Sequence, residues 1–281
     1  MTAAPHVWTN PLPDIHLQLG DCLELLRSLP DNSIDCIWTD PPYNLSNDGI
    51  TCISGKMVKV NKGEWDRSRG FEADHEFNRQ WIRECYRVLK PSGTIWISGT
   101  THVYLSVGMA LLEENFRILN DIIWEKPAPP PNLGCRCFTH STELLLWATK
   151  ASKKSKDKYT FNYDQMREEN NGKQMKNVWR MSPPSADEKT FGKHPTQKPV
   201  ALVARCLRAS TNEGDIVLDP FMGSGTTGVA SVLSKRKFIG YERDASFFNV
   251  ATQRIYAADG KLLIPTSNPS DDNDNLMLFA K

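Results

Sequence analysis

The chain has 281 residues, of which 40% are hydrophobic and 24% charged, and its formal net charge is +1. That is an ordinary globular composition, enough for one large α/β domain or one domain with an insertion, and its near-neutral charge advertises no polyanion partner. No apolar run approaches the ~18 residues of a membrane span, and Met1-Thr2-Ala3-Ala4-Pro5 lacks the basic start and apolar core of a secretory signal, so neither is expected.

In chain order, Ile15–Leu19 reads as a short strand and Asp21–Leu29 as a helix after the Gly20 turn. Ile34–Thr39 is an apolar run of buried-strand length. Ser46–Arg69 has no sustained period and is read as one long loop of the kind that carries function. Asp74–Leu89 has a helical stripe through Phe77, Trp81, Ile82, Cys85, Val88 and Leu89, ended by Lys90-Pro91-Ser92-Gly93. A strand at Ile95–Ser98, a helix near Val103–Glu114 and strands at Ile118–Trp124 and Leu144–Ala148 follow. From Lys150 to Lys193 the alternation stops. The stretch Lys150–Lys198 holds twelve Lys/Arg against six Asp/Glu, a local excess of six positive charges that suits phosphate contacts as well as a solvated loop. Alternation resumes with a helix at Val200–Ala209, strands at Ile216–Leu218 and Phe238–Tyr241, a helix after Thr226 and a last helix at Ala245–Ala257. Lys261–Lys281 is polar and acidic and reads as a loose tail.

Strands alternating with helices predict a mostly parallel sheet with helices on both faces. Seven scattered cysteines, an odd number, fit a reducing cytoplasm better than a disulfide framework. Cys135 and Cys137 form a lone C-x-C without a second pair at zinc spacing and read as two loop or strand thiols, so no metal is expected.

Two strand-end loops stand out, because ligands of open α/β sheets bind at such ends. Asp40-Pro41-Pro42-Tyr43 follows the Ile34–Thr39 strand. Two prolines stiffen it and remove two backbone donors. A carboxylate, the bare Pro41 carbonyl and an aromatic ring on a rigid turn can grip a planar group bearing NH2, such as adenine or cytosine. The second loop, Asp219-Pro220-Phe221-Met222-Gly223-Ser224-Gly225-Thr226-Thr227-Gly228, leaves a short strand and opens a helix, with Glu242 at the end of the next strand. Gly223–Gly228 matches the dinucleotide pattern. However, Asp219 at the strand tip disfavours a diphosphate and favours an ammonium or sulfonium. S-adenosylmethionine offers both cations and no phosphate, and Glu242 suits its ribose hydroxyls. Thr196, Gln197 and Lys198 of His194-Pro195-Thr196-Gln197-Lys198-Pro199 are expected to hold its carboxylate; a helix start with proline at its first turn is the plainer reading.

DPPY, HPTQKP and DPFMGSGTTG in this order resemble the amino-group DNA methyltransferases of the β class, a circular permutation in which the catalytic motif precedes the cofactor motif. The resemblance runs from about Leu17 to about Tyr256. The stretches Leu45–Ile50, Lys62–Asp66, His75–Asn78, Trp96–Gly99 and Gly172–Trp179 look closest to DpnA-like GATC adenine methyltransferases. The resemblance implies a Rossmann-like S-adenosylmethionine-dependent methyltransferase fold. It implies a catalytic half at 1–149 with a DNA-contacting loop at 46–69, a target-recognition segment at 150–193, a cofactor-binding half at 194–258 and a tail at 259–281. It also implies that Asp21 and Cys22 meet the cofactor adenine, Asp21 doubling as a helix cap, and that Phe221 packs near the methionine moiety. Asp40, Pro41, Pro42 and Tyr43 become the catalytic set. The expected reaction is transfer of a methyl group to the exocyclic amine of an adenine, flipped out of a duplex or in a single strand, with Tyr43 stacked on the base and S-adenosylhomocysteine as product. Expected partners are DNA, a second copy of the chain and a cognate restriction endonuclease, in the cytoplasm. The rivals are a cytosine-N4 methyltransferase of the same fold, a nicotinamide enzyme, and a DNA-binding protein without catalysis.

Overall fold

A computed structural model describes residues 14–44, 50–53, 56–59, 66–150 and 158–260. Expectations that fall on the N-terminal residues, on much of the 46–69 loop, on 151–157 and on the 261–281 tail lie outside the described residues. Five parallel strands make the heart of the main sheet: β1 (Ile15–Leu19), β10 (Lys237–Glu242), β9 (Ile216–Asp219), β2 (Ile34–Thr39) and β5 (Leu89–Gly99). The sheet continues through β7 (Thr142–Thr149), antiparallel to both its neighbours, then β6 (Arg117–Glu125) and β8 (Val178–Arg180). Among the described residues only β7 runs against the rest, so the predicted mostly parallel α/β sheet is borne out.

The alternation of side chains along β2 and β5 explains why both faces are covered. Cys36, Trp38 and Trp96 point to one face, and Ile37, Ile95 and Ile97 to the other. The first face is covered by α5 (Val200–Ser210), α6 (Thr226–Leu233) and α7 (Ala245–Ala258), together with α4 (Tyr163–Glu169). The second is covered by α1 (Cys22–Ser28), α2 (Phe71–Val88) and α3 (Thr101–Glu113). Near-continuous apolar strands buried on both sides are the signature of such a sheet.

The sheet order places β2 directly beside β9, although some 180 residues separate them. From β2 the chain winds one way through β5, and from β9 the other way through β10. Their carboxyl ends therefore open a crevice at a topological switch point, where ligands of this architecture bind. Asp40 and Asp219 stand at those two ends.

Three local expectations differ from the structure. The 46–69 loop contains a two-stranded antiparallel hairpin, β3 (Ile50–Ile53) and β4 (Lys56–Lys59). Strands of four residues are too short to print a period on a Gly- and Lys-rich stretch. Lys90-Pro91-Ser92-Gly93 belongs to β5, which leaves α2 without a turn. A register shift opposite Ile34/Cys36 absorbs the proline and glycine. Finally, the 150–193 segment carries α4 and β8. Trp179 is the only buried residue of β8, so its neighbours give the sequence no alternation to show. Trp179 and Met166 seat the segment in the core.

Candidate active site

Asp40 is presented by β2 on a turn that carries Tyr43 back beneath it. The side chain of Asp40 is 14% exposed. Its Oδ1 accepts from the Tyr43 hydroxyl at 2.5 Å and its Oδ2 from Lys198 Nζ at 2.5 Å. Tyr43 is buried. Its hydroxyl also meets Ser98 Oγ at 2.8 Å, its amide donates to Asp66 Oδ1 at 2.9 Å, and Lys198 Nζ lies 5.0 Å from its ring centre. Burial raises the Asp40 pKa above the ordinary carboxylate value, with Lys198 pulling against it. Burial, helped by Asp40, raises the Tyr43 phenol well above its usual value, so the hydroxyl stays protonated and donates.

Lys198 does more than the helix-start pattern suggested. Its ammonium touches Asp40 and lies 3.4 Å from Glu143 Oε2, and Glu143 also pairs with Lys126. Burial opposes the charge on Lys198, but Asp40 and Glu143 outweigh it and its pKa ends raised. Burial likewise opposes the charge on Glu143, yet Lys198 and Lys126 outweigh it and its pKa ends lowered. No sequence motif pointed to Glu143. It is one acid in the apolar strand Thr142–Thr149, and that isolation was the available signal.

The β9 tip is built differently. Asp219 is buried and accepts from Thr39 Oγ1 at 3.0 Å, from the Phe221 amide at 3.0 Å and from Thr227 Oγ1 at 2.5 Å. No cation is among these donors, and burial pushes its pKa up to about 7. Glu242 at the end of β10 accepts three backbone N–H bonds, from Gly223 at 2.9 Å, Arg243 at 2.9 Å and Asp244 at 2.8 Å. A carboxylate has about four lone-pair sites, so one remains for a ligand hydroxyl. Asp21 caps α1 through the amides of Leu23 and Glu24, which fulfils the capping half of its double expectation.

The glycine loop is shaped by contacts rather than by open space. Gly223 has φ of +51° and Gly225 +77°, and a Cβ on Gly225 would come within 2.9 Å of the Ala251 backbone. Buried Arg254 of α7, which the sequence did not single out, pins the loop by donating to the Ser224 carbonyl and hydroxyl and to Thr226 Oγ1. Gln197 bridges the Glu188 carbonyl and Ser224 Oγ, and Thr196 sits against His194 Nδ1.

These residues surround one cavity of about 860 Å³. Asp21, Cys22, Asp40 and Pro42 line it, as do Thr196, Gln197 and Lys198. So do Asp219, Pro220, Phe221, Gly223, Ser224, Thr226, Thr227 and Glu242. Phe221 meets Trp81 edge-on at 5.4 Å, which fixes an aromatic wall. Pro41, Tyr43 and Gly225 are buried behind the wall instead of lining it. The volume lies within the range of cofactor-sized clefts. Two carboxylates met by neutral donors stand on one side and a carboxylate met by a lysine on the other.

The family model for DNA methylases of the N6/N4 type matches residues 34–253. The chain belongs to this DNA methylase family. It is 53% identical over 253 residues to the Type II methyltransferase M2.DpnII of Streptococcus pneumoniae, which covers 90% of this chain and 92% of the relative. It is 52% identical over 236 residues to M2.LlaDCHI of Lactococcus lactis subsp. cremoris, covering 84% and 87%. Among solved structures, the M1.HpyAVI–SAM complex matches with a TM-score of 0.63 and 31% identity, over 86% of this chain and 98% of that one. The expected DNA methyltransferase is borne out, and S-adenosylmethionine is its methyl donor.

Proposed function

We propose that the enzyme methylates the exocyclic N6 amine of adenine in GATC, on a base flipped out of duplex DNA or offered in a single strand. The observation that carries this reading is the pair of unlike carboxylates at adjacent strand tips, joined through Thr39. Among the described residues Asp219 meets no cation, so it suits the ammonium of S-adenosylmethionine, while Glu242 and Asp21 suit its ribose and adenine. Bound there, the cofactor supplies an electrophilic methyl group. Asp40 already has a cation, so a neutral amine is the better guest for it. Asp40 would accept one N–H of the base and the Pro41 carbonyl the other. This returns lone-pair density to nitrogen and aims it at the methyl, with reacting atoms ~3–3.5 Å apart. The amine nitrogen would take the methyl as its bond to sulfur breaks, and the proton shed by the methylated amine would pass to solvent.

Tyr43 must turn outward to stack on the base, which would recover about 1–3 kcal/mol of the unstacking cost. That turn also frees Asp40 Oδ1 from the phenol, so stacking and unmasking of the carboxylate are one movement. The likeness of Leu45–Ile50 and Gly172–Trp179 to GATC enzymes supports the target, and an aspartate at position 40 supports adenine over cytosine.

The 150–193 segment would recognise the target, with exposed Lys173, Lys176 and Lys193 on DNA phosphates. Exposed Leu105, Met109 and Leu112 form a stripe on α3 that supports a homodimer. Among the described residues no helix is long and apolar enough to cross a membrane, and we place the enzyme in the cytoplasm with a cognate endonuclease. Methylating plasmid DNA and mapping the modified base tests the reading. N6-methyladenine in GATC is expected, whereas N4-methylcytosine or another context overturns it.

A further inference from the structure

We propose that Lys198 and Glu143 are positioning residues for Asp40: the Lys198 ammonium holds the catalytic carboxylate ionised, and Glu143, balanced by Lys126, aims that ammonium. The inference rests on the reading of Asp40 as the acceptor for the base amine.

The chain is assembled from four separate places. Asp40 follows β2, Glu143 stands near the start of β7, Lys126 follows β6 and Lys198 precedes α5. Side-chain exposure is 14% for Asp40 and Glu143, 4% for Lys198 and 23% for Lys126. Charges this far from water settle into a neutral set, here two carboxylates and two ammonium groups. An ammonium has three donors. Lys198 donates to Asp40 Oδ2 at 2.5 Å and to the Thr196 carbonyl at 3.2 Å, and its ammonium lies 3.4 Å from Glu143 Oε2 as an ion pair. With two acids already paired to its charge, this ammonium is a poor host for a ligand carboxylate, the role that the sequence suggested for it. Glu143 fixes the direction of the ammonium, and Lys126 balances Glu143.

The groups facing Asp40 are Tyr43 from its own turn, Lys198 ahead of α5, Glu143 from β7 and Asp219 from β9. Burial and both acids favour a proton on Asp40; Lys198 is the cation that opposes them. A protonated Asp40 would present a hydroxyl donor at one oxygen and would accept the base N–H more weakly.

Single-turnover methyl transfer across pH, paired with S-adenosylmethionine titration, separates a positioning role from a cofactor-binding one. An opposite charge within ~4–6 Å holds a carboxylate down by about 1–3 pH units, so Lys198→Gln should move the acid limb up by that amount, with cofactor Kd unchanged. Lys198→Arg should restore the limb, and Glu143→Gln should move it the other way. A wild-type limb in Lys198→Gln, with weakened cofactor binding, overturns the inference. Should Lys198→Gln not fold, an unshifted limb in Glu143→Gln does the same. Asp40→Asn tells the two readings apart. Full turnover in that variant removes the catalytic assignment itself, whereas its loss beside an unshifted Lys198→Gln removes only the positioning role.

Discussion

The two strand tips that meet in the crevice solve the same problem, a buried carboxylate, by opposite means. At β9 and β10, Asp219 and Glu242 are held by hydroxyls and backbone amides. These donors satisfy lone pairs and leave the negative charge uncancelled, so the site still attracts a cation. At β2, Asp40 is held by a lysine, and its charge is matched before any ligand arrives. Such a site keeps the acceptor geometry of a carboxylate while losing its pull on free cations. One tip therefore suits a sulfonium–ammonium ligand and the other a neutral amine. On the proposed reading, two neighbouring aspartates would take different guests because of what stands behind them.

The comparison breaks most sharply at Asp40. Asp40→Ala should lower methyl transfer on the order of 10³-fold, the scale for losing one preorganised transition-state contact, while S-adenosylmethionine binding stays measurable by titration. Retained turnover would end the distinction between the tips. Asp219→Asn is the mirror experiment. A hydrogen-bonded charge contributes about 1.5–3 kcal/mol, so cofactor Kd should rise about 10–100-fold with a smaller effect on the methyl-transfer step.

The pH dependence of Asp219 follows from its pKa of about 7. The folded protein keeps a proton that the unfolded chain releases near pH 4, so this residue makes the apoprotein less stable as pH rises from about 4 to about 7. A cationic ligand prefers the ionised form, so cofactor affinity should strengthen as pH rises towards and through that value. Calorimetric melts and titrations across this window check both signs. Asp219→Asn should flatten each profile, and an unchanged slope would move the titrating group elsewhere.

Much of this was readable in the chain. Asp40 and Asp219 were legible because each closes an apolar run that reads as a strand, and strand ends of such sheets carry function. Their adjacency was not written in either motif, since it depends on β2 pairing with β9 across 180 residues. Glu143 and Arg254 were missed for the same reason: each acts on a partner from a distant element. The resemblance implies that the Tyr43 ring stacks on the base. The turn instead folds it under Asp40, where Ser98 of β5 receives it. β8 was invisible because three residues carry no period, and a single buried tryptophan decides them.

A smaller effect is expected in the glycine loop. Gly225 at φ +77° caps the start of α6, where a Cβ would come within 2.9 Å of the Ala251 backbone. Gly225→Ala combines a left-handed backbone with a close contact and should cost about 1–3 kcal/mol of stability. Because Gly225 lies behind the cavity wall, cofactor affinity measured below the melting transition should change less than in Asp219→Asn. A larger loss of affinity than of stability would make the loop a direct ligand contact.

The smallest change is expected for Tyr43→Phe, and it tests whether the phenol is a latch or a participant. In the resting site its hydroxyl occupies the oxygen of Asp40 that the base amine would use. Removing it takes away a charge-assisted hydrogen bond, worth about 1.5–3 kcal/mol in stability at most. The ring needed for stacking remains, and Asp40 Oδ1 is freed in advance. Methyl transfer should therefore stay near the wild-type rate while the melting temperature falls. Tyr43→Ala, which loses the ring as well, should weaken binding of the base by the further ~1–3 kcal/mol of stacking. Equal losses of turnover in both variants would show that the hydroxyl itself acts on the base. The β2 tip would then work through two side chains, and its contrast with the cofactor tip would rest on the phenol as much as on the lysine.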